Sequence, residues 1–219
     1  MKRKALLYTV FFLILVGGFL FALTQFIPEF GEVKMPILSY VQPFSFTDQN
    51  GNRITEQNMK GKVYVAEYFF TTCTGICPIL NTNMKGIYRA FEHEPNFAIL
   101  SHSVDPETDS VGRLRVYADS IGIREEVWHM LTGRKDSLYS AARVSYLLDD
   151  PKNNNDRIEN QFMHTQFFAL VDKNGRVRKI YDGLKKAELE ELKGDIVKLL
   201  HEKGGHETYL HSLFNANPG

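Results

Sequence analysis

The hydrophobic positions of this chain fall into blocks of three kinds. The first is continuous: Ala5 to Leu23 is nineteen residues without a formal charge, only Tyr8 and Thr9 being notably polar, and Lys2, Arg3 and Lys4 precede it. A run of that length predicts one transmembrane helix, because the apolar part of a signal peptide is shorter, and Phe21-Ala22-Leu23-Thr24 makes a poor small-residue cleavage site. The basic residues before the run predict a cytoplasmic N-terminus. Everything beyond about residue 30 then faces the periplasm or the cell exterior from a single-pass anchor in the cytoplasmic membrane.

The second kind is the short β-branched or aromatic run. Val63 to Phe70 and Phe97 to Leu100 have the length and composition of strands buried on both faces. Val127 to Leu131 reads as a shorter strand. Phe44 to Asn58, around Asn50-Gly51, and Thr165 to Tyr181, around Asn174-Gly175, read as hairpins. The third kind recurs at helical spacing. Ile79, Leu80, Met84 and Ile87 predict a helix starting at residues 75–78, with Pro78 in its first turn. Val111 to Ile121, Ser137 to Leu148 and Lys185 to Glu202 predict three more. Strand and helix alternate and end in a hairpin and a helix. That order predicts an α/β thioredoxin-like fold, a central mixed β-sheet flanked by helices. The implied organisation is an anchor at 1–24, a Pro- and Gly-containing linker at 25–42, the domain at 43–203 and a tail at 204–219. Asp149 to Asn160 reads as a polar loop.

Charge adds an exclusion. Lysine plus arginine and aspartate plus glutamate number 26 each, so no global field favours nucleic acid. Neither a nucleotide-binding glycine loop nor a Gly-x-Ser-x-Gly elbow occurs. Chemistry must come from a local site.

The chain has two cysteines, Cys73 and Cys77, at the junction of a predicted central strand and a helix. On a helical first turn, positions four apart share a face with Cβ atoms about 5–6 Å apart, close enough to chelate one ion or to close a disulfide. Backbone N–H groups at a helix start favour the thiolate, which binds metal and attacks disulfides. A structural disulfide is the plainer alternative, although so short a loop gains little stability from one. Two thiolates and one imidazole suit copper, whereas structural zinc takes four protein ligands. Among seven histidines, His164 opens a strand whose edge would face the dithiol helix in a thioredoxin fold. Burial or surface display explains His102, His129 and Met163 as well as an auxiliary ligand role does. His201, His206 and His211, five apart, share no helical face.

These residues resemble the Sco/SenC copper proteins associated with assembly of the CuA centre of cytochrome c oxidase. The likeness is carried by Gly61-Lys62, by Phe69-Phe70-Thr71-Thr72-Cys73-Thr74-Gly75-Ile76-Cys77-Pro78, by Ser103-Val104-Asp105-Pro106-Glu107-Thr108-Asp109, and by Met163-His164-Thr165 leading into Leu170-Val171-Asp172-Lys173-Asn174-Gly175. The resemblance implies copper ligation by Cys73, Cys77 and His164, a redox-active Cys73–Cys77 disulfide, and an oxidase subunit or another copper protein as partner. Two departures bear on partner recognition: Met163 stands where many relatives have Asp, and the preceding loop is Asn-rich rather than acidic. A metal-independent thiol-disulfide oxidoreductase is the competing class, although its usual motif has two residues between the cysteines. A one-cysteine peroxidase ranks behind both.

Overall fold

The computed structural model describes residues 2–26, 35–124, 126–154, 157–158, 161–163 and 165–202. His164, the stretch 27–34 and the tail with His206 and His211 lie outside the described residues. The chain divides into two compact units, Met1–Met35 and Pro36–Gly219.

In the first unit, α1 spans Lys2–Phe26. Its side chains are described at residues 3, 4 and 6–22, where large apolar groups from Leu6 to Phe21 are exposed. Among the described residues no helix is long and apolar enough to cross a membrane.

The second unit is built on a six-stranded mixed sheet, in the order β1 (Ser39–Tyr40), β8 (Arg176–Asp182), β7 (Phe167–Val171), β4 (Val63–Phe69), β5 (Phe97–Ser103), β6 (Trp128–Leu131). β4 pairs in parallel with β5 from Val63↔Phe97 to Phe69↔Ser103, and antiparallel with β7. All seven side chains of β4 are buried, which is why its sequence shows a continuous run and no alternation. The expected hairpins form. One is β7/β8. The other is β2 (Ser45–Thr47) with β3 (Arg53–Thr55), a separate two-stranded sheet that reaches the end of β6 through reciprocal 2.9 Å backbone bonds between Thr47 and Thr132.

Among its described residues the unit also has four α-helices: α2 (Cys77–Phe91), α3 (Val111–Ile121), α4 (Lys135–Ser140) and α5 (Lys186–His201). α2 buries Leu80, Met84, Ile87 and Tyr88, and α5 buries Leu189, Leu192, Ile196 and Leu199, each set one apolar stripe. Links such as Phe69 on Tyr117, Tyr88 on Trp128, and Tyr181 to Asp195 put α2, α3 and α5 on one sheet face. The β2/β3 hairpin and α4 cover the other with Phe46, Leu138 and Tyr139.

Two expectations need correction. The C-terminal end of the expected linker belongs to the sheet. Ser39–Tyr40 pairs with β8, and Leu38 and Val41 donate their N–H groups to Val177 and Gly175 at 2.8 Å. The helix expected over 137–148 starts at Lys135 and leaves α geometry at Ser140. A π turn over Ala141–Ser145 then carries Arg143 to half-buried Asp149 (2.8 Å) and buried Gln161 (2.7 Å).

Candidate metal and dithiol site

β4 ends at Phe69, and its continuation delivers both cysteines. The Cys73 N–H donates to Phe70 O at 3.3 Å, closing a turn, and Cys77 is the first residue of α2. The expectation that the two cysteines share a helical turn is therefore corrected: Cys73 lies on the loop before the helix. The reason is Pro78. A helix beginning near Cys73 would require an N–H donor at 78, whereas a start at Cys77 puts proline in the first turn, where none is needed.

Both thiols are free, and they differ in environment. Cys77 is buried, and desolvation, reinforced by the neighbouring Cys73 sulfur, pushes its thiol up to about 12. At half-exposed Cys73, burial acts in the same direction but is outweighed. The Cys77 thiol and the N–H groups of Cys77, Gly75 and Ile76 donate to its sulfur and hold it below the ordinary thiol value. The first proton lost from the pair comes from Cys73, leaving a thiolate with a thiol beside it.

Behind the thiols on β4 lies Glu67, 1% exposed. Ser101 Oγ donates to its Oε1 at 2.6 Å and accepts from Trp128 Nε1 at 2.8 Å. Desolvation, only partly offset by Ser101, raises its carboxyl to about 8.

The loop is held from the α3 side by residues the sequence reading passed over. Asp109, fully buried, accepts from the Thr71 N–H (3.3 Å), the Thr71 hydroxyl and Ser103 Oγ (2.6 Å), and Arg113 Nε donates to Thr71 Oγ1 at 2.7 Å. Its sequence signal was the Ser103–Asp109 stretch, which offers no chemistry of its own. On the other side Phe70 meets Phe162 edge-on, ring centroids 5.0 Å apart. The Tyr139 hydroxyl accepts from the N–H of buried Met163 at 3.1 Å and lies 3.1 Å from Val104 O, while the Val104 N–H donates to Phe69 O at 2.9 Å. Residues 162 and 163 are thus tied to the end of β4 that bears the dithiol.

The other candidates separate from the site. His102 is fully buried on the opposite sheet face, stacked 4.9 Å from Tyr68 with Phe46 and Tyr146 around it, and burial lowers its imidazole to about 4. His129 lies 3.5 Å from Asp48. Among the described residues no group of three or more His, Cys, Asp or Glu could hold a metal ion. The described part of the site supplies two sulfur donors, fitting a soft ion that still needs a further ligand.

Two free cysteines at the end of the central strand of a mixed sheet, meeting a helix start, define a thioredoxin-like dithiol protein. The SCO1/SenC family model matches residues 36–201, and the chain belongs to that family. It is 28% identical over 169 residues to the SCO1 protein homolog of Bacillus subtilis, covering 75% of this chain and 85% of the relative. Among solved structures, BsSco, described as a member of the Sco family of cytochrome c oxidase assembly proteins with a disulfide switch, aligns with a TM-score of 0.66 and 27% identity, over 78% of this chain and all of that one. Bradyrhizobium japonicum ScoI with copper bound aligns with a TM-score of 0.59 and 25% identity, over 74% of this chain and all of that one.

Proposed function

We propose that this chain is a membrane-anchored, extracytoplasmic copper-handling protein that delivers copper to, or prepares the thiols of, the CuA site of cytochrome c oxidase. The observation that carries the proposal is the placing of two free cysteines, Cys73 on the loop after β4 and Cys77 at the start of α2, within a SCO1/SenC domain. Copper is the cargo. Cys73 and Cys77 supply sulfur donors, and His164 supplies the nitrogen that Cu(II) favours. The described neighbours of His164 support its assignment, because Phe162 and Met163 on one side are tied to the dithiol end of β4.

Equilibrium dialysis of the reduced protein tests this. One copper per chain is expected, lost in a Cys73→Ser, Cys77→Ser double variant, and unchanged stoichiometry in that variant would remove the proposal. His164→Ala should weaken and distort Cu(II) binding while the cysteines still oxidise to a disulfide. Wild-type spectra and normal oxidase activity at low copper in that strain would shift the reading to a metal-independent thiol-disulfide oxidoreductase. The unequal thiols favour that second reading, since one serves as nucleophile and the other as resolving group.

The anchor rests on the nineteen-residue uncharged run Ala5 to Leu23. As a helix it reaches about 28 Å, close to the roughly 30 Å hydrocarbon core. The basic residues before it orient the domain outward.

A further inference from the structure

We propose that Asp109 is the positioning residue of the dithiol loop, holding Cys73 against Cys77 through Thr71. The proposal rests on reading Cys73 and Cys77 as the working dithiol.

Asp109 has no cation in direct contact among the described interactions, yet it is fully buried, and a carboxylate so placed is tolerated only when donors surround it. Those donors come from two places. Ser103 Oγ at 2.6 Å belongs to the end of β5, rigid because β5 is paired on both sides. The N–H and hydroxyl of Thr71 belong to the loop, two residues before Cys73. Asp109 is itself fixed by its N–H to Asp105 O at 2.8 Å, just before α3 starts at Val111. One carboxylate therefore joins the sheet, the α3 approach and the loop.

The direction of each bond follows from donor counts. Arg113 Nε–H can only donate, and it points at Thr71 Oγ1 at 2.7 Å. That oxygen accepts there, which leaves the single Thr71 hydroxyl proton for Asp109. The chain Arg113 to Thr71 to Asp109 thus has one polarity, and charge at both ends strengthens it. It fixes the backbone at 71, and through the short turn from Phe70 O to the Cys73 N–H it fixes the position from which the Cys73 sulfur meets Cys77. A loop held in this way raises the effective concentration of one sulfur at the other. Ion chelation and disulfide closure both depend on that concentration.

The test is the redox equilibrium of the intact protein with dithiothreitol. The protein disulfide is reduced to Cys73 and Cys77 thiols as dithiothreitol closes its own ring, two electrons and two protons passing between them. Thr71→Val keeps the shape and removes the hydroxyl. It should lower the equilibrium constant for protein disulfide formation about fivefold, the worth of roughly one net hydrogen bond. Thr71→Ser should restore the wild-type value, and Asp109→Asn should shift it in the same direction as Thr71→Val. Thr71 is half-exposed, so its variants remain readable if Asp109→Asn fails to fold. A Thr71→Val protein whose melting temperature falls while its redox equilibrium matches wild type would overturn the positioning role. A wild-type protein unable to close a Cys73–Cys77 disulfide would overturn the dithiol reading, and this inference with it.

Discussion

At the scale of single residues, the two thiols of one site are chemically unequal. Cys73 is lowered by donors, whereas Cys77 is raised to about 12 by burial and by its partner sulfur. Limited iodoacetamide near pH 7.5 should therefore modify Cys73 well before Cys77, as peptide mass spectrometry would show, and equal labelling would contradict the electrostatic account. Two buried groups set opposite pH dependences of stability. The Glu67 carboxyl is raised to about 8 in the folded protein, so that state holds a proton the unfolded chain has released, and stability falls as pH rises from the unfolded carboxyl value of 4.5 through about 8. His102 is lowered to about 4, so the unfolded chain takes up the extra proton, and stability falls as pH drops from 6.5 through about 4. The two slopes offset one another near pH 5–6, and the alkaline loss belongs to Glu67. Melting temperature should decline between pH 6.5 and 8.5 in the wild type and stay nearly flat in Glu67→Gln. Cys73 and Cys77 were legible in the sequence because the chain has no other cysteines. The bond between Thr71 and Asp109 was not, since it joins residues 38 positions apart and neither has a pattern of its own.

Elements meet at a few points where spacing leaves no freedom. Gly183, between β8 and α5, is one: a Cβ there would lie 2.7 Å from Phe168 Cζ and 2.8 Å from both Gln166 O and Leu80 Cδ2. The Gly183 carbonyl also accepts from Asn83 Nδ2 at 2.7 Å, which fastens this loop to the helix that begins at Cys77. Gly183→Ala should cost about 1–3 kcal/mol by overpacking, read by denaturant unfolding. Tyr139 is a second such point. Tyr139→Phe leaves the buried Met163 N–H without its acceptor and should cost about 1–3 kcal/mol. On the proposed ligand set it should also weaken copper binding while leaving Cys73 alkylation at its wild-type rate, because it acts at Met163 and not on the loop that carries Cys73. Strong periodicity made most elements legible: α3 matches its expected span, and β4 and α2 lie within a residue or two of theirs. β1 was not legible, because two residues in a proline-containing stretch become a strand only through β8. The break of α4 into a π turn depends on where Arg143 finds its acceptors, again a tertiary cause.

At the scale of the whole molecule, the chain divides into two compact units, and the proposed anchor falls in the first while the dithiol lies in the second. With basic residues before the apolar run, protease added to spheroplasts should digest the domain. Protection until lysis would reverse the proposed topology and remove the oxidising surroundings that a lasting Cys73–Cys77 disulfide needs.

The β2/β3 hairpin has a consequence for life in a crowded compartment. A mixed sheet ends in two strands whose outward N–H and C=O groups invite a neighbouring chain to join, the first step toward aggregation. The bonds between Thr47 and Thr132 place the hairpin across the end of β6. On the opposite border β1 covers only the start of β8, and the remainder carries half-exposed Lys179, paired with Glu191. One border is capped and the other carries a charged side chain, so the backbone of both is kept from a neighbouring chain.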